Sequence, residues 1–414
     1  MLKLLVNPLQ IVTVNTSGKN YLRGKEMEEI GVLENHSILI EDDIIKDFIP
    51  NNSINEINAD QIIDIKDKTI LPGLIDCHTH LVFAGSRAEE FKLKLEGIRY
   101  EEIAEKGGGI NRTVKSVIDS GFEELVEISG SRIDYAISQG ITTLEIKSGY
   151  GLSFQEEIKI LEVINHLNKI YPVDIIPTFL GAHTYPLEFK NHHNAYIDII
   201  LNEMLPYVAK NKLAKFCDAF CESTAFSSPE VDMIFSKASE LGFQTKLHTD
   251  QFNSIGGVKV GLKYNSTSLE HLEVIGDNDI KRITNSDCVA VLLPGVSFFL
   301  RYGYAPARKL IDNNSIVALS TDFNPGSSNI ANLNLIMTLA ALNMNMKIEE
   351  TISAVTINAA KALDVNNSVG SIEIGKKADF AVIDSPEYYD IVYQVGKNLN
   401  LMTIKNGNII YKKS

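Results

Sequence analysis

Short apolar or alternating runs open the chain, at 4–6, 11–14, 37–41, 44–49 and 61–64, with Asn, Gly and Asp between them. That pattern predicts strands joined by turns, and no long helix fits there. The C-terminal end has the same character. Runs at 379–383 and 402–405 predict strands, and Asn406-Gly407 before Asn408-Ile409-Ile410-Tyr411 predicts a tight hairpin. Both ends together are expected to build one small β-sandwich domain, from residues 1–68 and 361–414.

Between them, strand-like runs alternate with amphipathic helical patterns such as 153–171 and 229–241. The strand candidates are 69–80, 142–147, 175–183, 214–222, 244–250, 268–272, 288–293 and 316–322. Eight such strands alternating with helices predict an α/β fold, a TIM-like (β/α)8 barrel over 69–360.

Composition narrows the partners. The net charge of -14 disfavours a phosphate backbone, and the lysines are scattered, so nucleic acid is not an expected partner. No apolar run approaches the ~20 residues that span a bilayer. Lys3 and Pro8 interrupt the N-terminal apolar stretch, so a signal peptide is not expected. Cys77, Cys217, Cys221 and Cys288 form no CxxC pair and read as buried reduced thiols, which points to the cytoplasm.

Candidate chemistry follows from the barrel. Reactive residues of such barrels sit at the C-terminal strand ends. Five of the nine histidines fall there: His78, His80, His183, His248 and His271, with Asp322 ending the last strand. His78 and His80 are two apart and share one face of a strand. With His248 and Asp322 they form a three-histidine, one-carboxylate set suited to zinc or ferrous iron. His36, His166, His192 and His193 lie off the strand ends and read as surface or packing residues.

Leu71-Pro72-Gly73-Leu74-Ile75-Asp76 leading into His78-Thr79-His80 resembles the amidohydrolase superfamily, as does Gly370-Ser371-Ile372-Glu373-Ile374-Gly375-Lys376-Lys377-Ala378-Asp379. Narrower motifs are His78-Thr79-His80-Leu81-Val82-Phe83-Ala84-Gly85-Ser86-Arg87, Glu145-Ile146-Lys147-Ser148-Gly149-Tyr150-Gly151-Leu152, Leu180-Gly181-Ala182-His183 and Ser320-Thr321-Asp322-Phe323-Asn324-Pro325-Gly326. With the glycine loop 107–110 they are similar, nearly end to end, to the imidazolonepropionase family of histidine degradation. The resemblance implies one divalent metal ion per subunit, zinc or iron, on His78, His80, His248 and Asp322, and a homodimer. It carries substrate contacts to Arg87, Tyr150, His183, Gln251, Asn324, Gly326 and Ser327. Position 251 is glutamate in some members; Gln251 can hydrogen-bond but cannot act as a base. Lys147 invites a carboxylated, metal-bridging role, but a structural one is expected.

The implied reaction opens the ring of 4-imidazolone-5-propanoate, a small-molecule substrate, to N-formimino-L-glutamate. Water activated by the ion attacks the ring carbonyl. Asp322 and His271 are expected to handle its proton, and His183 to donate to the oxyanion. Arg87 offers a planar fork for the anionic tail, with a bond to Glu89 or Glu90 as its alternative. Tyr150 would present its hydroxyl from a loop. Asn324 would present an amide and Gly326 an N–H, unless they merely form an Asn-Pro-Gly turn. The competing readings are an amidohydrolase of another cyclic amide or aminopurine-like ring, and a non-catalytic binding protein on the same scaffold.

Overall fold

The computed structural model describes residues 1–98 and 108–413. At its centre eight parallel strands run in chain order: β1 (Leu74–Asp76), β2 (Ile141–Lys147), β3 (Asp174–Ala182), β4 (Phe216–Cys221), β5 (Gln244–Thr249), β6 (Ser268–His271), β7 (Val289–Leu292) and β8 (Ile316–Leu319). Every residue of β1, β2, β6, β7 and β8 is buried, as a parallel sheet covered by helices requires. The helix Phe154–Ile170 shows why the pattern reads as α. Ser153 caps it by accepting from the Glu156 N–H, and Ile158, Leu161, Ile164 and Leu167 bury one stripe.

The barrel closes just beyond the ladder ends of β1 and β8. Thr79 bridges Phe323 in parallel. The Asp322 N–H donates to the His78 carbonyl (3.1 Å) and the His80 N–H to the Phe323 carbonyl (3.0 Å). Asp76 seals this seam: its carboxylate accepts from the Ser320 hydroxyl, the Thr321 N–H (3.1 Å) and the Thr321 hydroxyl (2.7 Å). Closure thereby sets His78 and His80 beside Asp322.

Two further sheets form the small sandwich. One has the order Ile44–Pro50, His36–Glu41, Leu2–Val6, Gln61–Asp64; the other has Asn408–Lys412, Asn400–Lys405, Phe380–Ile383, Thr69–Pro72, Gln10–Val12, Val32–Leu33. Leu5, Ile38 and Ile40 of the first pack on Ile11, Ile70, Phe380 and Ile404 of the second. The Asn406-Gly407 hairpin is present, both residues at positive φ (50° and 69°), as a type I′ turn demands. Residues 69–80, expected as one barrel strand, divide instead. Thr69–Pro72 pairs within the small sandwich and only Leu74–Asp76 joins the barrel. Gly73 makes the crossing, where a Cβ would stand 2.2 Å from the Thr142 hydroxyl oxygen. Of the glycine loop 107–110, Gly107 lies outside the described residues, and Gly109 (φ 79°) precedes the helix Ile110–Asp119.

Candidate metal centre and substrate cavity

The C-terminal strand ends bring the expected ligands together. Asp322 Oδ1 lies 3.2 Å from Nε2 of His78 and 3.4 Å from Nε2 of His80. Nε2 of His248 lies 3.4 Å from Nε2 of His80. His78 Nε2 and Asp322 Oδ1 are buried without a hydrogen-bond partner among the described residues. Imidazole nitrogens that face one another and a carboxylate, shut away from water, suit a cation better than a set of protons. The ligand atoms of His78, His80 and Asp322 fall within 4.8 Å of one another, as do those of His78, His248 and His271. The backbone is strained here: Asp250, His271, Leu272 and Asp322 all have positive φ (55°, 80°, 68° and 48°).

Behind the ligands lies a layer of charge of which the sequence pointed only to Lys147. Glu270 Oε2 is 2.7 Å from Nδ1 of His78, and Asp218 Oδ2 is 3.0 Å from Nδ1 of His248. Carboxylates in this position set the tautomer of a metal-binding histidine, leaving its Nε2 lone pair for the ion. Beneath them Lys147 pairs with Asp218 (2.8 Å), Glu145 (2.9 Å) and Glu270 (3.0 Å). Burial alone would push the Lys147 pKa down, but these three carboxylates hold it well above the ordinary value. Lys147 is thus an ion-pair centre, in line with the structural role expected for it. Lys246 pairs with Glu145 (2.8 Å) and Glu270 (2.9 Å). One signal was available in sequence: charged residues inside strands whose other residues are buried and apolar.

The field differs from ligand to ligand: burial and the neighbouring imidazoles hold His80 well below the ordinary value, and burial lowers His248. At His78 burial lowers the pKa, yet Glu270 and Asp322 together more than offset this and raise it to about 9. His183 behaves oppositely: burial, then His248, lowers it to about 4.

A cavity of ≈ 450 Å³ opens above this floor. Its lining includes His80, His248, His271 and Asp322, and also Arg87, Tyr150, His183, Gln251, Asn324, Gly326 and Ser327. His78 is fully buried beneath it. Every substrate-contact candidate therefore faces one space. Arg87 is tied at Nη2 to Glu90 (2.8 Å), so the expected alternative partner is real, yet Arg87 still lines the cavity. Glu90 also accepts from the Gly109 N–H (3.2 Å). Tyr150 sits 5.7 Å from the His80 ring, in a loop wrapped around the buried Glu157. That carboxylate accepts from the N–H groups of Gly149 (3.0 Å), Gly151 (2.7 Å) and Leu152 (2.9 Å), and sequence reasoning missed it.

Two expectations about donors change. The Asn324 amide donates to the Asp322 carbonyl (2.7 Å) and the Ser327 hydroxyl (2.8 Å), and its Oδ1 accepts the Gly326 N–H (2.8 Å) and the Ser327 N–H (2.8 Å). These polar groups shape the turn after β8, and the Gly326 N–H is already spent there. Nδ1 of His183 lies 2.9 Å from the Gly149 carbonyl and must donate to it. The neutral ring consequently presents Nε2 as an acceptor, not the donor expected for an oxyanion. His36, His166, His192 and His193 stay outside this cavity.

The amidohydrolase family model matches residues 69–410. The imidazolonepropionase of Alkaliphilus oremlandii is 44% identical, over 98% of this chain and 97% of its own length. That of Clostridium tetani is 42% identical, over 99% and 98%. Among solved structures, a triazine hydrolase variant superposes with a TM-score of 0.76 at 17% identity, covering 99% of this chain and 95% of its own. E. coli guanine deaminase does so at 0.74 and 16%, covering all of both chains. At that identity the two structures bear on the fold alone. The chain belongs to the amidohydrolase family and, within it, to the imidazolonepropionases.

Proposed function

We propose that this chain hydrolyses 4-imidazolone-5-propanoate to N-formimino-L-glutamate, a step of histidine degradation. One observation carries the reading beyond the family relationship. The histidine–aspartate cluster and a guanidinium line the same cavity, which suits a small heterocycle bearing an anionic tail.

His78, His80, His248 and Asp322 are the residues that would hold one divalent ion, zinc or iron. When bound, it would polarise the ring carbonyl and lower the pKa of water beside it. The remaining work falls to the chain. Arg87, oriented by Glu90, pairs with the propionate carboxylate. Tyr150, Gln251 and Ser327 flank the ring. The His183 Nε2 lone pair accepts a ring N–H. Water forms the new C–O bond at the carbonyl carbon, and the ring C–N bond breaks. One water proton ends on the departing amidine nitrogen. Asp322 takes and returns it through Oδ2, which lies 3.5 Å from the Ser327 hydroxyl, and His271 stands on the same wall.

We also place the enzyme in the cytoplasm as a homodimer. Four buried free thiols support the first and the family resemblance the second. No helix among the described residues is long and apolar enough to cross a membrane.

The test follows loss of the imidazolone ring by absorbance, with and without chelator. Chelator-sensitive decay is expected. No decay above background for metal-loaded protein removes the specific substrate.

A further inference from the structure

Lys147, Lys246, Glu145, Asp218 and Glu270 all have fully buried side chains at the base of the cluster. Taking five charges out of water is costly, and a buried ion-pair network is a poor source of stability. Its arrangement points to another use. Lys147 ends β2, and Glu145, two residues earlier, shares its face of the strand. From there the Lys147 ammonium reaches Asp218 on β4 and Glu270 on β6. Those are the two carboxylates that hold Nδ1 of His248 and of His78. Lys246 differs: it meets Glu270, Glu145 and the Cys77 carbonyl (3.0 Å), and among the described residues it makes no ion pair with Asp218.

We propose that Lys147 is a positioning residue for the metal centre: its single ammonium joins the carboxylates behind His78 and His248 and so fixes these two ligands relative to each other. The proposal rests on the metal reading above. Without Lys147, Asp218 and Glu270 repel each other across the barrel, and each is free to turn its imidazole away from the common point. The cation acts through its partners and need not touch substrate.

The experiment titrates metal-free protein with Zn²⁺ against a chromogenic chelator. Lys147→Met is expected to weaken zinc binding by ~10–100-fold, the usual effect of losing a group behind a metal ligand. Once zinc is saturating, KM stays near the wild-type value, a split that general loss of structure would not give. Lys246→Met is expected to weaken zinc less. An unpaired buried carboxylate can prevent folding, so Glu145→Gln/Lys147→Met, which removes one charge of each sign, serves as the second variant with the same expected loss. Zinc affinity within threefold of wild type in either Lys147 variant overturns the proposal, as does a larger loss in Lys246→Met. Wild-type protein that takes up no zinc removes the metal reading and this role with it. A zinc-binding wild type beside an unaffected Lys147 variant removes this role alone.

Discussion

A Cβ on Gly326 would lie 2.2 Å from Nη1 of Arg87 and 3.0 Å from its Cζ. The guanidinium therefore rests against a residue whose lack of a side chain makes room for it. Because the obstructed atoms are the far end of a flexible side chain, Gly326→Ala shifts Arg87 more readily than it disturbs the barrel. KM is expected to rise about tenfold with little change in Tm, since a displaced fork forfeits part of a charge-assisted, two-point contact. Steady-state kinetics beside a thermal melt checks this; an unchanged KM argues against Arg87 as the site for the tail.

Asp322 combines two duties, facing His78 and His80 through Oδ1 while Oδ2 turns to Ser327. Asp322→Ala should abolish both bound metal and turnover. Metal analysis of the purified variant with the ring-decay assay reads both, and full activity would sink the proposed chemistry.

Asp76 draws the seam together from below. Asp76→Ala leaves the Thr321 N–H and hydroxyl without their acceptor in a dry interior, while the Ser320 hydroxyl keeps only the His78 carbonyl (3.2 Å). Stability should fall by about 2–4 kcal/mol, on the usual cost of roughly 1–3 kcal/mol per unsatisfied buried group and with partial relaxation. Turnover should fall too, since Asp322 follows directly on this seam. Denaturant unfolding measures the first; wild-type stability would mean that the seam holds without Asp76.

His183 supplies a pH signature. Its pKa falls from an ordinary 6.5 to about 4 in the folded chain, through burial and the neighbouring His248. Between these values the unfolded state binds more protons, so stability rises with pH across the window and is lost as pH falls through it. In metal-free protein, His183→Asn should flatten that slope by up to one proton. Unfolding free energies measured at intervals from pH 4 to pH 6.5 test it, and identical slopes would show that His183 is not held neutral.

How much of this was legible beforehand varies with the range of the interaction. The alternation of strands and helices, the i, i+2 pairing of His78 and His80, and the Asn406-Gly407 turn are short-range consequences of backbone geometry, and the sequence by itself determined them. It also placed His248 and Asp322 at strand ends, because an apolar run stops where the barrel meets its cavity. Tertiary structure decided the rest. Pro72 and Leu74 look continuous in sequence yet serve different sheets, since only packing against Phe380 on one side and Ile141 on the other separates them. Lys147, Asp218 and Glu270 lie 71 and 52 residues apart along the chain, and no local pattern reveals that one ammonium joins the two carboxylates. The direction of the His183 proton was likewise fixed by a carbonyl 34 residues away. Spacing along a chain determines which side chains share a face; barrel closure determines which faces meet, and with them where charge, protons and a cation can be held.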